Sequence, residues 1–111
     1  MSNIETVRAM FESYQKQDRQ AADRLLAEEF RFTSPQDDHI DKATFLDVCF
    51  PTANRMTSQE LVYVTPTGQD DVFVMYDYML RTGERHRNVE VLTVRGGRIV
   101  ETQVFFGGPV R

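Results

Sequence analysis

Apolar positions in this chain recur at helical spacing in the first half and at strand spacing from residue 59 onward. Ile4, Val7, Met10, Phe11 and Tyr14 fall on one stripe of a 3.6-residue repeat. Ser2, with Glu5 three positions later, has the form of a capping box, so residues 3–17 are predicted to be an amphipathic helix. Asp18 is the N-cap of a second predicted helix whose buried stripe is Ala22, Leu25 and Leu26. Residues 30–33 alternate at period two and predict a short strand that Pro35 stops, followed by a loop over 36–40. Asp41 caps a third helix with Phe45, Leu46, Cys49 and Phe50 on its apolar side and Pro51 as its end, and residues 52–57 read as a connector.

Residues 59–65 form a β-rich run closed by the turn residues Pro66, Thr67 and Gly68. Three further strands are predicted over 71–81, 85–94 and 98–106, with turns at Thr82-Gly83 and Arg95-Gly96-Gly97. Glycine at both reversals supplies the positive φ that tight hairpins need. Helices followed by a run of strands imply an α+β domain, with helices packed on one face of a mostly antiparallel, curved sheet.

Each of the last three strands carries an acid near its centre: Asp77, Glu90 and Glu101. A carboxylate among apolar residues is either solvated on an outer face or held in a pocket that raises its pKa. Glu90 shares a strand face with Leu92 and Val94 and is the first candidate for acid or proton-shuttle chemistry; the competing reading pairs it with Arg81 or Arg85 across the hairpin. On the 71–81 strand, Val72, Val74, Tyr76, Tyr78 and Leu80 form one face and Phe73, Met75, Asp77, Met79 and Arg81 the other. Both faces are largely apolar, and a one-residue slip inverts them, so Asp77 is either a pocket carboxylate or an interface residue.

Composition narrows the class. The chain has 111 residues, 41% hydrophobic and 27% charged, which fits one globular domain spanning 1–111. A net charge of −4 argues against nucleic acid as a partner. The single cysteine, Cys49, precludes an internal disulfide and suits a reducing compartment; no segment has the length of a membrane span, so a cytoplasmic protein is expected. Asp37-Asp38-His39 lacks the ligand spacing of a metal site, His86 is expected to be exposed near a hairpin tip, and no nucleotide or phosphate loop is present; no cofactor is expected.

Three stretches, DRLLAEEFRFTSP, DKATFLDVCF and VEVLTVRGGRIVETQVFFG, in this order and at these lengths, resemble the NTF2-like superfamily and its SnoaL-like, ketosteroid-isomerase-like branch. The resemblance implies a cone-shaped sheet around three N-terminal helices, an apolar pocket and, in many members, a homodimer through the outer sheet face. It implies a small apolar metabolite as ligand and a pocket lined by Met10, Phe32, Ser34, His39, Tyr63, Leu92, Thr102, Val104 and Phe106. Glu90, Asp77 and Tyr14 are the implied catalytic candidates.

The carry-over of chemistry is incomplete. Isomerase-like members use a carboxylate base where this chain has Ser34, and a tyrosine where it has Met10, with Tyr14 one turn away; only Glu90 keeps the type of group. This argues against steroid isomerisation, and no Asp-Arg-Asp constellation of the epoxide-hydrolase kind assembles. The expectation is a cofactor-free isomerase, cyclase or dehydratase acting on a carbonyl-bearing metabolite. The rival readings are a non-catalytic ligand-binding or dimerisation module and a peptide-binding sheet.

Overall fold

The computed structural model describes residues 1–110. Helix α1, Asn3–Lys16, starts at the capping box: Ser2 Oγ accepts from the Glu5 amide at 3.1 Å, and Glu5 accepts from the Ser2 amide at 3.0 Å. It ends where Gln17 turns left-handed at φ 55°. Asp18 caps α2, Arg19–Leu25, by accepting from the Ala21 amide at 3.1 Å. Leu26, expected on the α2 stripe, instead opens strand β1, Leu26–Ser34, opposite Ile99. Local periodicity could not show that pairing, because the partner strand lies near the far end of the chain.

Of residues 36–40, expected to be a loop, 37–40 belong to strand β2, Asp37–Asp41, which folds back antiparallel on β1. It is an edge strand with mostly exposed side chains, so its sequence carries no apolar alternation. The third helical run is also longer than expected. It begins as an α turn at Lys42–Thr44, widens to a π turn at Phe45–Cys49 and continues as 3₁₀ helix over Phe50–Arg55. An α-helix carried through Pro51 would press the proline ring on the Asp47 carbonyl; the change of pitch avoids that clash instead of ending the helix. Side chains take up the carbonyls of the irregular stretch: Arg19 donates to the Leu46 oxygen at 3.0 Å and Gln17 to the Phe50 oxygen at 2.9 Å.

Strand β3, Met56–Thr67, absorbs the end of the expected connector and the expected turn residues Pro66 and Thr67. It lies at the other edge of the sheet, where a proline is tolerated. Strands β4, Asp71–Leu80, β5, Arg85–Arg95, and β6, Arg98–Pro109, complete one six-stranded sheet in the order β2-β1-β6-β5-β4-β3. Only β1 and β6 run parallel; the other neighbours are antiparallel. The architecture is thus α+β, three helices against a mixed, mostly antiparallel sheet.

Register shifts at Leu61/Tyr63, Arg87/Asn88 and Thr93/Val94 bend the sheet. At the second of these, Arg87 faces Gly108 and Asn88 faces Phe106, leaving Gly107 as the extra residue. A Cβ on Gly107 would stand 2.5 Å from the Arg87 carbonyl oxygen, so only glycine fits there. The core lies between the inner sheet face and the helices, with Val7, Phe30, Val72, Val74, Leu92 and Ile99 almost fully buried. No helix among the described residues is long and apolar enough to cross a membrane.

Candidate functional site

The helices do not fill the concavity of the sheet. Between them lies a cavity of about 350 Å³, within the size range of small-molecule sites. Its interior is apolar, built from Met10, Phe11, Leu26, Phe30, Phe45 and Leu92, and its rim carries the exposed side chains of Gln36, Val48, Arg55 and Phe106. Strand alternation supplies the sheet wall: Tyr76, Tyr78 and Leu80 from β4, Asn88, Glu90 and Leu92 from β5, Thr102, Val104 and Phe106 from β6.

Glu90 is the acid of this wall. Tyr76 donates its hydroxyl to Glu90 Oε2 at 2.6 Å, and Asn88 Nδ2 donates to the Tyr76 hydroxyl at 3.2 Å. Burial pushes the Glu90 carboxyl up to about 7, and the Tyr76 bond offsets only part of that rise. What surface Glu90 keeps is directed into the cavity it lines. Neither Arg81 nor Arg85 reaches it: Arg81 Nε donates to the Asn54 carbonyl at 2.6 Å, and Arg85 bonds Asp77 on the opposite face. The Tyr76 phenol is itself driven upward, first by burial and then by the adjacent Glu90 charge, and so remains protonated. Its ring is locked edge-on against Phe11, centroids 5.4 Å apart.

Tyr14 also lines the cavity, yet its proton is already committed. Thr52 Oγ1 donates to the Cys49 carbonyl at 2.7 Å, so in the 2.8 Å contact between Tyr14 and Thr52 the tyrosine must be the donor. Burial raises its pKa to about 12. Tyr14 can therefore donate its hydroxyl proton to a ligand only after the bond to Thr52 breaks. Ser34 donates to Asp37 Oδ2 at 2.8 Å, and the Cys49 thiol faces the same oxygen at 3.9 Å. Burial, aided by Asp37, raises the Cys49 thiol to about 11, which leaves it a poor nucleophile at neutral pH.

Of the residues expected at a pocket, Met10, Tyr14, Phe32, Ser34, Glu90, Leu92, Thr102, Val104 and Phe106 line this one. Asp77, His39 and Tyr63 do not, and those three placements are corrected. Asp77 sits on the outer sheet face and accepts from Arg87 Nε at 2.6 Å and Arg85 Nη2 at 2.8 Å. The hydrogen bond from Arg87 is the main reason its carboxyl is held below the usual value. His39 lies on the β2 edge, 2.6 Å from Asp38 and 4.0 Å from outward-facing Glu101. Tyr63 is 62% exposed beside a bulge. His86, expected to be exposed, is half-buried and stacks on Tyr78, centroids 5.6 Å apart. Among the described residues no group of three or more His, Cys, Asp or Glu is arranged to hold a metal.

Sequence reasoning missed Asn88, Thr52, Arg55 and Gln59, and placed Tyr76 only as one member of a face of the 71–81 strand. Asn88 had a signal: it shares the phase of Glu90 and Leu92, so once Glu90 faces inward Asn88 must as well. Thr52, Arg55 and Gln59 had none, since they reach the rim only through the longer helical run and the longer β3.

The profile of the SnoaL-like domain matches residues 7–102. The chain belongs to the SnoaL-like domain family. No curated protein matches it. Among solved structures it is similar to an NTF2-like protein of unknown function from Burkholderia xenovorans, with TM-score 0.82, 16% identity, and 98% of this chain and 86% of that one covered. A protein assigned provisionally as a ketosteroid isomerase from Kribbella flavida superposes with TM-score 0.79 at 18% identity, covering 98% and 80% of the two chains. An LEH-like epoxide hydrolase from M. tuberculosis gives TM-score 0.75 at 15% identity over 94% and 81%. At such identities the likeness establishes the NTF2-like fold, while the side chains of this SnoaL-like domain must speak for its chemistry.

Proposed function

We propose that this SnoaL-like domain binds a small, largely apolar metabolite bearing a carbonyl, and that Glu90 moves a proton on it in a cofactor-free isomerisation, cyclisation or dehydration. One observation carries the reading: a carboxyl in an apolar cavity, with one oxygen tied to Tyr76 and a pKa of about 7. Such a group is present in both protonation states at neutral pH, which suits a residue that takes a proton from the carbon beside a carbonyl and returns it elsewhere. Tyr76 and Asn88 hold the carboxyl in place and act as positioning residues for that step.

A specific observation favours a second reading, binding without turnover. The hydroxyl protons of Tyr14, Tyr76 and Ser34 all go to protein acceptors, so none of these groups is free to stabilise an enolate oxygen. Turnover assays on enolisable ketones with the wild type and Glu90→Gln separate the two. The catalytic reading expects a loss of about 10²–10⁴-fold, whereas unaltered turnover would remove Glu90 from the mechanism. A Glu90 carboxyl that titrates near 4.5 by carbon-13 NMR favours the binding module.

In this reading the domain works as a homodimer through the outer sheet face. The support is a register row of Tyr63, Met75, Val89 and Phe105 across four strands, with Tyr63 62% and Phe105 53% exposed. An apolar row of this kind suits a self-complementary contact around a twofold axis.

A further inference from the structure

Three tyrosines line the cavity, and two of their protons are taken: Tyr14 donates to Thr52 and Tyr76 to Glu90. Tyr78 is the third. It is half-buried on the inward face of β4, and among the described residues no acceptor takes its hydroxyl proton. Nor is its oxygen sealed off. Among the described residues that are not exposed, the only fully covered side-chain polar atoms without a partner are His86 Nε2 and Asn88 Oδ1. The Tyr78 hydroxyl and Glu90 Oε1, which make no bond either, therefore keep accessible surface. The Tyr78 ring stacks on His86 with centroids 5.6 Å apart and leans on Tyr76 at 6.1 Å, so packing sets its direction. Burial is the main reason the Tyr14 pKa rises, and the charges of Glu90 and Tyr78 add to it, which puts all three polar ends around one space. Burial raises the Tyr78 pKa as well, and the nearby Asn88 amide only moderates the rise, so this phenol keeps its proton at neutral pH.

We infer that Tyr78 is a ligand-binding residue whose hydroxyl donates a hydrogen bond to the carbonyl oxygen of the ligand. The inference rests on the reading of the cavity as a pocket for a carbonyl-bearing metabolite and names the group that fixes the carbonyl. In an apolar pocket the few polar groups left uncommitted set the orientation of what binds. Tyr78 stands one inward position along β4 from Tyr76, about 7 Å, and Tyr76 in turn holds Glu90 Oε2 at 2.6 Å. A ligand whose carbonyl meets Tyr78 therefore lays its adjoining carbons toward Glu90 Oε1, the unbonded oxygen of that carboxyl. The donor belongs to β4; Met10, the α1 position at which isomerase-like members carry a tyrosine, has no hydroxyl to offer.

The test uses 2-acetylnaphthalene and 2-ethylnaphthalene, two probes with the same ring system of which only the ketone accepts a hydrogen bond. Affinities are measured by titration calorimetry at about pH 8.5, where Glu90 is ionised and cannot donate while Tyr78 keeps its proton. Tyr78→Phe is expected to bind the ketone about ten-fold more weakly than the wild type does, and the hydrocarbon within about two-fold. The infrared carbonyl stretch of the bound ketone should lie below its value in a hydrocarbon solvent for the wild type and return toward that value in Tyr78→Phe. Loss of both affinities by the same factor makes Tyr78 a packing residue and overturns the inference. An unchanged ketone affinity or carbonyl stretch in Tyr78→Phe assigns the oxygen to another donor and overturns it too, while leaving the ligand pocket intact. Failure of the wild type to bind either probe overturns it together with the apolar-pocket reading. If Tyr78→Phe does not fold, the carbonyl stretch in the wild type decides: a lowered frequency upholds the assignment and one equal to that in hydrocarbon solvent rejects it. None of these readouts requires turnover, so they judge Tyr78 whether Glu90 moves a proton or the domain only binds.

Discussion

Glu90 and Asp77 are strand-centre acids on adjacent strands, and the two faces of one sheet make different groups of them. On the inner face Glu90 has a phenol for company and an apolar cavity in front of it, and its carboxyl rises to about 7. On the outer face Asp77 is just as well covered, at 3% exposure, but what covers it is Arg85 and Arg87, and its carboxyl falls. Burial by itself therefore does not say what an acid will do. Burial beneath hydrocarbon penalises the charge, whereas burial beneath guanidinium groups requires it. A sheet with one face around a hollow and the other exposed can hold both kinds within two strands.

The largest test of this contrast is a crossed pair of variants followed by thermal or denaturant unfolding against pH. The folded protein binds the Glu90 proton more tightly than the unfolded chain, so the wild type should lose stability as pH rises from 4.5 through about 7. Glu90→Gln should be more stable than the wild type at pH 8 by up to roughly 3 kcal/mol, with the gain vanishing near pH 4. Asp77→Asn should behave in the opposite sense. The contribution of Asp77 is full above 3.8 and fades as pH falls through its lowered folded value, so this variant is the weaker protein at neutral pH and loses its handicap in acid. Parallel curves for the two variants would mean that the faces do not differ in this way.

Gly107→Ala acts on both faces at once, because its Cβ would collide with the Arg87 carbonyl between outward Arg87 and inward Asn88. A loss of about 1–3 kcal/mol is expected, with the resonances of both Asp77 and Glu90 displaced. A neutral outcome would show that the bulge does not determine the register there. Tyr76→Phe removes the bond that lowers the Glu90 pKa, so carbon-13 titration should find that pKa raised by about one further unit and the Asp77 value unmoved. Phe105→Lys should have the smallest effect on the protomer. It places a charge in the outer apolar row, so sedimentation should report monomers while the Glu90 titration stays as in the wild type.

Much of the fold was legible because it follows from local chemistry. The Ser2–Glu5 box, the Asp18 and Asp41 caps and the turns at Gly83 and Gly96-Gly97 act within a few residues and appear where they were expected. The misread strands have one origin. Leu26, the 37–41 edge strand and the extension of β3 over Pro66 are decided by strand partners distant in sequence or by position at a sheet edge. The same holds at the site. Glu90 stood out as the first candidate beside Leu92 and Val94 while an arginine partner stayed open, and its partner Tyr76 and the committed protons of Tyr14 and Ser34 were not legible.

From sequence alone this chain is an α+β domain of three helices and a bent sheet, with an acid at the centre of each of its last three strands; periodicity, caps and turn glycines suffice for that because each acts over a few residues. Which face of β4 looks inward, and hence that Glu90 meets a hollow while Asp77 meets two arginines, was decided only by tertiary structure. The reason is the two-residue period of a strand: a shift of one position exchanges every side chain between faces, and only pairing with neighbouring strands selects the phase.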